Sequence, residues 1–252
     1  MPVSPGVAVS TAGLLVLFPV GAAALGAGVA AWRRPGAQLT SGIQHFAAGV
    51  VFAALAGEVL PDLRREGHLG AVLTGFGAGV GLLLALGAYA DQQDKAAECR
   101  AGDVPATDGG SLPMGLLAAV AIDLLIDGLL VGLGATLGSK QGLIITVALT
   151  IEILFLAVSV SITLLEKDVS RWRAAVVSGS LGLCCTVGAL LGAALLGGTS
   201  TTVLAAVLAF GAAALLYLVV EELLVEAHEA NDTPVLAAMF FVGFIGLFAI
   251  AG

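Results

Sequence analysis

The chain alternates between long apolar runs and short polar segments that carry glycine, proline or charged residues. Each apolar run holds about 20 residues, the length that an α-helix needs to cross the hydrocarbon core of a bilayer. The pattern predicts an all-α membrane protein in which residues 1–252 form a single transmembrane domain. Eight helices are predicted, over residues 7–31, 40–60, 70–90, 114–138, 142–165, 174–197, 201–223 and 234–251.

Most of the predicted connections are short, and residues 91–113 are the exception. This polar segment contains glycines, and we expect it to be a flexible loop between helices 3 and 4. It separates three helices from five. If helices 4 and 5 form a central pair, the arrangement becomes 3+2+3, which favours the inverted repeats of many secondary transporters. The sequence itself shows no strong internal repeat.

Lysine and arginine are distributed unequally between the two sides of the predicted bundle. Loops after odd-numbered helices hold seven of them and loops after even-numbered helices hold three. Because basic residues favour the cytoplasmic side, we expect both termini outside and the 91–113 loop in the cytoplasm. The compact chain has no long ectodomain or histidine-rich loop, which favours a bacterial inner membrane. We therefore expect a multi-pass protein of the cell membrane.

Composition supports the membrane assignment and excludes other classes. Hydrophobic residues make up 59% of the chain and charged residues only 11%, with a mean hydropathy of +1.06. Ordinary soluble domains contain roughly 25% charged residues. The ten basic residues do not form a cluster, so no nucleic-acid partner is expected. Nucleotide-binding loops, nucleophile elbows and zinc-protease motifs are absent, so we expect neither an enzyme nor a bound cofactor.

Three acidic residues lie deep inside the apolar runs, where a charge is expensive. Asp123 and Asp127 share one helix face because they are four residues apart, and Glu152 lies at a similar depth in the next run. A charged side chain at this depth costs at least about 2.5 kcal/mol, and such residues usually mark a path for an ion or a proton. A divalent cation or a shared proton would relieve their repulsion. Protonated acids that hydrogen-bond neighbouring helices are the structural alternative.

Further candidates surround these acids in the sequence. Cys185, next to Cys184 in the sixth run, is either a small buried hydrophobe or a soft ligand that favours Zn or Cd. His45 is either a ligand on the path to the site or an interfacial hydrogen-bonding residue. The end of the seventh run either collects metal on that path or is a solvated helix end. Its candidate residues are Glu222, Glu226 and His228.

Three segments of the chain resemble the ZIP (Zrt-, Irt-like protein) family of divalent metal transporters. They are residues 45–50 (HFAAGV) with 58–61 (EVLP), residues 121–128 (AIDLLIDG), and residues 216–228, which include LYLVVEEL. The resemblance covers most of the chain. It implies eight spans, outside termini, a cytoplasmic loop after the third helix, and a metal-carrying bundle that slides against a scaffold able to form a homodimer.

The metal motifs of the family are altered in this chain. The family's fourth span typically reads His-Asn-x-Pro-Glu-Gly; here Asp123 stands at the histidine position and Asp127 at the glutamate position. Glu152 takes the first-ligand position of the fifth span, and Cys185 stands where some members have a glutamate. The resemblance thus implies a metal site of Asp123, Asp127, Glu152 and Cys185. Ile126 and Phe155 replace the two motif prolines, so both helices should run straighter.

The leading hypothesis is a divalent-cation transporter working by alternating access. Zinc is the usual family substrate, but replacing imidazole by carboxylate shifts the preference towards harder cations such as Mn or Fe. Two other hypotheses remain. The fold could move protons, or a non-metal solute coupled to protons, or it could be a non-transporting metal sensor.

Overall fold

The structure is a computed structural model that describes residues 5–33, 36–65, 68–101, 112–228 and 233–251. All regular secondary structure in these ranges is helical. The α-helices are α1 (Pro5–Leu15), α2 (Leu17–Trp32), α3 (Ala37–Ala54), α4 (Leu60–Arg65), α5 (Leu69–Ala101), α6 (Met114–Leu137), α7 (Ser139–Glu166), α8 (Arg171–Leu196), α9 (Thr201–Tyr217), α10 (Leu224–Ala227) and α11 (Pro234–Ala251). Two π-helical turns, Leu55–Val59 and Leu218–Leu223, link α3 to α4 and α9 to α10.

Seven helical segments within the described ranges are long and apolar enough to cross a membrane. This confirms the prediction of an all-α chain with several spans. Helices α1 and α2 together form the first segment, and α3 continues through its π-helical turn into α4 to form the second. The eighth predicted run is also helical, but its apolar stretch Pro234–Ile250 is shorter than the other seven. An arrangement of eight spans is therefore not established by helix length.

Helix α5 extends further than the apolar pattern predicts. It runs to Ala101, so the first part of the expected 91–113 loop is helical, whereas residues 102–111 lie outside the described residues. The sequence DQQDKAAECRA at 91–101 consists mainly of good helix formers, which explains the extension. A polar helix end needs no burial once it leaves the apolar layer.

The helices pack as two groups. Helices α2, α6, α7 and α8 form one group, with α1 against α6 and α8. The other group comprises two pairs, α3 with α11 and α5 with α9, which meet where α3 and its continuation into α4 contact α9. Between the groups, α3 contacts α7, while α5 and α9 contact α6. The acids of the candidate site lie on α6 and α7, at this boundary.

Glycines bring helix backbones into direct contact within each group. A Cβ at Gly128 of α6 would collide with the carbonyl oxygen of Cys185 in α8, and one at Gly49 of α3 would collide with the carbonyl oxygen of Phe240 in α11. Small residues allow helices to approach this closely in membranes, where dispersion and close packing drive association. Glycine contacts therefore join α6 to α8 and α3 to α11 as tightly packed pairs.

Candidate metal site

The site is built on the hairpin formed by α6 and α7. A single residue, Gly138, joins the two helices with a φ of 142°, a conformation that suits glycine because it has no Cβ. Asp123 lies 15 residues before Gly138 and Glu152 lies 14 residues after it. Antiparallel helices leaving one tight turn therefore hold these two acids at the same depth.

The three deep acids meet in space. Asp123, Asp127 and Glu152 each offer a carboxylate oxygen, and these oxygens all lie within 4.8 Å of one another. Oxygens at such separations can coordinate one cation of the size of Mn²⁺ or Ca²⁺, whose ligands lie about 2.0–2.6 Å from the metal. The proximity that we inferred from depth along the chain is present in the structure.

These carboxylates have few partners within the protein. Asp127 and Glu152 are only 3% and 1% exposed, and Asp123 is half-buried. Among the described residues, the buried oxygens without a hydrogen-bond partner include Oδ2 of both aspartates and both oxygens of Glu152. Buried polar atoms normally have partners, because leaving one unsatisfied is costly. The expected hydrogen bonds to neighbouring helices are absent for these oxygens among the described residues, and a bound cation, shared protons or water can satisfy them.

A cavity of about 610 Å³ leads to the cluster from one end of the bundle. Asp123 lines this cavity, whereas Asp127 and Glu152 are not part of its lining and lie behind Asp123. Tyr89 at the end of the apolar part of α5 and Met114 at the start of α6 also line it, and both are largely exposed. The mouth of the cavity therefore lies at the end of the bundle where the apolar part of α5 ends and α6 begins.

The opposite side of the cluster is closed by packing. Between Asp127 and Gly138, the α6 side chains Leu130, Val131 and Leu133 are at most 3% exposed. Leu130 fills the space beside Gly211 of α9, where a Cβ would collide with it. Among the described residues, the cavity at Asp123 reaches the acids from one end of the bundle, and this packing closes the part of α6 beyond them.

The second π-helical turn contributes two more acids to the cavity wall. Glu221 and Glu222 both line the cavity, and Glu222 interacts electrostatically with Asp123, Asp127 and Glu152. A π-helical turn adds a residue to a helix and is frequent at functional sites. Glu222 therefore belongs to the surroundings of the cluster, and its role along a metal path stays a prediction.

Cys185 lies beside the cluster but is not one of its three converging groups. It is fully buried in α8, and its charge environment includes Asp127 and Glu152. The group of ligand atoms within 4.8 Å contains the three acids alone among the described residues. A ligand role for Cys185 stays a prediction, while the backbone of Cys185 has a definite role as the packing surface for Gly128.

The remaining predicted residues separate from the acids. His45 of α3 is buried and lies next to His228, which is exposed at the end of α10, with ring centroids 5.1 Å apart. Neither histidine lines the cavity that reaches Asp123. Glu226 belongs to α10, and the structure describes its backbone but not its side chain.

Sequence reasoning missed the hydroxyl groups of the cavity wall. Tyr89, Tyr217, Ser159 and Thr163 line the cavity together with the acids. Spacing offers one signal: Tyr217 lies four residues before Glu221, so a regular helix would place both on one face. Ser159 and Thr163 are also four residues apart and so share a helix face, whereas the spacing of Tyr89 gives no such signal.

Comparison with known proteins leaves the family open. No family model matches the chain, and no curated protein matches it.

Proposed function

We propose that this protein is a membrane transporter of divalent metal cations with a ZIP-like architecture. One observation carries the proposal: three deeply placed carboxylates with unpartnered oxygens converge within 4.8 Å at the end of a cavity that opens to one side. Intramembrane acids are costly, and they mark ion paths when they face a bundle interior or a cavity. The cation is the transported substrate.

An arrangement of eight spans in the order 3+2+3 fits the packing, with α11 as the last span. Its apolar stretch of 17 residues reaches the lower limit of length for crossing a bilayer. Contacts occur in matching pairs: α2 with α7 and α8 with α6, then α3 with α11 and α9 with α5. If spans 6–8 (α8, then α9 with α10, then α11) repeat spans 1–3 (α1 with α2, then α3 with α4, then α5) with inverted topology, this pairing is expected. The two π-helical turns occur in the second helix of each set, as such a repeat predicts.

Alternating access fits the division of the helices into two groups. The acids belong to the group of α2, α6, α7 and α8, and the cavity lies between this group and the helices α5 and α9 of the other. Tight glycine contacts hold helix pairs within the groups together, α6 with α8 at Gly128 and α3 with α11 at Gly49. Movement of one group against the other would close the present cavity and open a path on the opposite side.

Oxygen ligands determine which metals suit the site. Three carboxylates provide hard donors that favour Mn, Fe(II) or Mg over metals that prefer nitrogen and sulfur. Zinc also accepts carboxylate oxygens in a tetrahedral site, and Cys185 as a fourth ligand would favour Zn or Cd. We propose zinc or a harder cation as the substrate.

The distribution of basic residues gives the proposal an orientation. With the loops after the odd-numbered spans in the cytoplasm, both termini lie outside. The cavity, whose mouth lies where the apolar part of α5 ends and α6 begins, then opens to the cytoplasm. The described conformation is then the inward-open state of a protein in a bacterial inner membrane.

A proton pathway is the second candidate, because the same unpartnered oxygens can be satisfied by shared protons. Liposomes that contain the purified protein together with one metal-sensitive and one pH-sensitive dye separate the readings. Metal accumulation supports the transporter. A proton flux that needs no metal favours the second candidate, and metal binding without either flux indicates a sensor.

A further inference from the structure

His45 and His228 bring two imidazoles together from separate parts of the chain. His45 lies in α3 and is 2% exposed, while His228 follows α10 at the protein surface. Their ring centroids are 5.1 Å apart with the planes tilted by 52°. The hydroxyl of Ser41, one turn before His45, donates a hydrogen bond of 2.6 Å to the carbonyl oxygen of Ala227. This bond holds the two backbones together beside the rings.

Hydrogen bonding fixes which nitrogen of His45 carries the proton. Its Nδ1 lies 2.9 Å from the carbonyl oxygen of Ser41, which can only accept. The Ser41 hydroxyl has already given its proton to Ala227, so Nδ1 cannot accept from it. Nδ1 of His45 must therefore be the donor, and in the neutral ring the lone pair lies on Nε2.

His228 is arranged in the same way. Its Nδ1 faces the carbonyl oxygen of Leu224, one turn earlier, and must donate to it. Metal-binding histidines usually donate their second ring nitrogen to a carbonyl or carboxylate oxygen, which fixes the tautomer and the ring orientation. Both rings already have the tautomer in which Nε2 is the ligand atom.

We propose that His45 and His228 form a second metal site for a divalent cation that prefers imidazole, such as Zn²⁺, Ni²⁺ or Cu²⁺. The separation of the rings fits this use. Two imidazoles on one tetrahedral zinc, with Zn–N bonds of about 2.0–2.1 Å, place their centroids about 5 Å apart. The 5.1 Å between the two ring centroids is close to this value, so little rearrangement is needed. Water completes the coordination, because His228 lies at an open surface pocket with Val220, Leu224 and Val225.

This site is independent of the proposed transport function. The acid cluster offers oxygen ligands, which favour hard cations such as Mn²⁺, whereas the histidine pair offers nitrogen ligands, which favour Zn²⁺, Ni²⁺ or Cu²⁺. A metal bound here would link α3 to the end of α10. Both helices lie outside the group that carries the acids. Only Val225 lines both this pocket and the cavity that reaches Asp123.

The test measures metal binding by the full-length purified protein after any polyhistidine tag has been removed. His45→Asn and His228→Asn are suitable variants because the asparagine amide can replace the Nδ1 donor but cannot supply Nε2. His68→Asn is the matched control, since His68 lies elsewhere and contacts Thr201. Equilibrium dialysis with Ni²⁺ and with Mn²⁺ compares these variants with Asp123→Ala/Asp127→Ala.

We expect each of the two asparagine variants to lose one equivalent of bound Ni²⁺, whereas His68→Asn keeps it. Mn²⁺ binding should depend on the aspartates and not on the histidines. In the unmodified protein, electron paramagnetic resonance of bound Cu²⁺ should show coupling to two imidazole nitrogens. Unchanged Ni²⁺ binding in both asparagine variants, or a Cu²⁺ spectrum without nitrogen coupling, would overturn the proposal. An unmodified protein that binds Ni²⁺ but no Mn²⁺ would count against the acid site and leave the histidine site standing.

Discussion

Gly128 of α6 packs directly against the backbone carbonyl of Cys185 in α8. Gly128 follows Asp127 in the chain, so this contact fixes the position of an acid of the candidate site. The reverse contact occurs one turn further, where a Cβ at Gly188 of α8 would collide with the carbonyl oxygen of Leu125. The site thus depends on the close approach of α6 and α8 as well as on its own carboxylates.

Gly128→Ala should destabilise the protein. The added methyl group meets a backbone oxygen rather than a flexible side chain, and overpacking of this kind typically costs about 1–3 kcal/mol. The melting temperature of the purified protein in detergent measures the effect. Gly77→Ala of α5 is the matched control, because its Cβ would enter open space and alanine is the better helix former. A Gly128→Ala variant as stable as Gly77→Ala would contradict the packing described for α6 and α8.

The helices were predictable from the sequence to a large extent. Runs of about 20 apolar residues define spans because lipid leaves a backbone no partners other than its own carbonyls. Both α6 and α7 are continuous helices, and the expectation that they run straighter without the two motif prolines stays a prediction. The apolar pattern ends before the extension of α5 to Ala101, which only the helix-forming residues of 91–101 indicate. The two π-helical turns gave no signal, because hydrophobic periodicity does not register a single inserted residue.

The cavity provides a prediction about access. Ala119→Cys should react with a water-soluble maleimide added on the side of residues 91–113, because Ala119 is exposed and lines the cavity. Leu133→Cys should remain unlabelled, since Leu133 is fully buried beyond the acids. Mass spectrometry of sealed vesicles of known orientation measures both, with the parent chain as the blank for native cysteines. Labelling of Ala119→Cys from the opposite side instead would reverse the proposed orientation.

Asp123→His should change the metal preference of the site. An imidazole in place of a carboxylate supplies a nitrogen ligand that suits Zn²⁺ better than Mn²⁺. We expect the ratio of Zn²⁺ to Mn²⁺ affinity to rise by about tenfold, the lower end of what a change in a metal site's surroundings produces. Competition dialysis against both metals measures the ratio, and Asp123→Asn controls for the loss of charge. An unchanged ratio would show that Asp123 is not a ligand.

Glu222 and Glu221 form a matched pair for testing the charge around the site. Both line the cavity, and Glu222 is the one whose charge acts on all three acids. Glu222→Gln removes a negative charge that attracts a cation, so the affinity for divalent metals should fall several-fold. Glu221→Gln should have a smaller effect. Isothermal titration with Mn²⁺ compares the two variants. Equal losses of affinity would show that Glu222 influences the site no more than Glu221 does.

The site was predictable in part, for reasons that differ among its residues. Asp123, Asp127 and Glu152 stand out in the sequence because a charged side chain inside an apolar helix is energetically costly. Counting residues from the α6–α7 turn then shows that Asp123 and Glu152 lie at a common depth. The pairing of His45 with His228 was not predictable. These residues are 183 positions apart in the chain, and their proximity depends on how α3 packs against the end of the seventh span.

Transport through the acid cluster is the central claim, and flux of divalent metals into liposomes tests it most directly. The wild type and the double variant Asp123→Asn/Asp127→Asn would be reconstituted at equal density and challenged with Mn²⁺, Fe²⁺, Zn²⁺, Cd²⁺ and Mg²⁺. The asparagines keep the size of the side chains and remove two negative charges, and an unchanged melting temperature would exclude misfolding. We predict that the wild type accumulates at least one of these metals and that the variant does not. Equal flux through both proteins, or no flux through an intact wild type, would contradict the account.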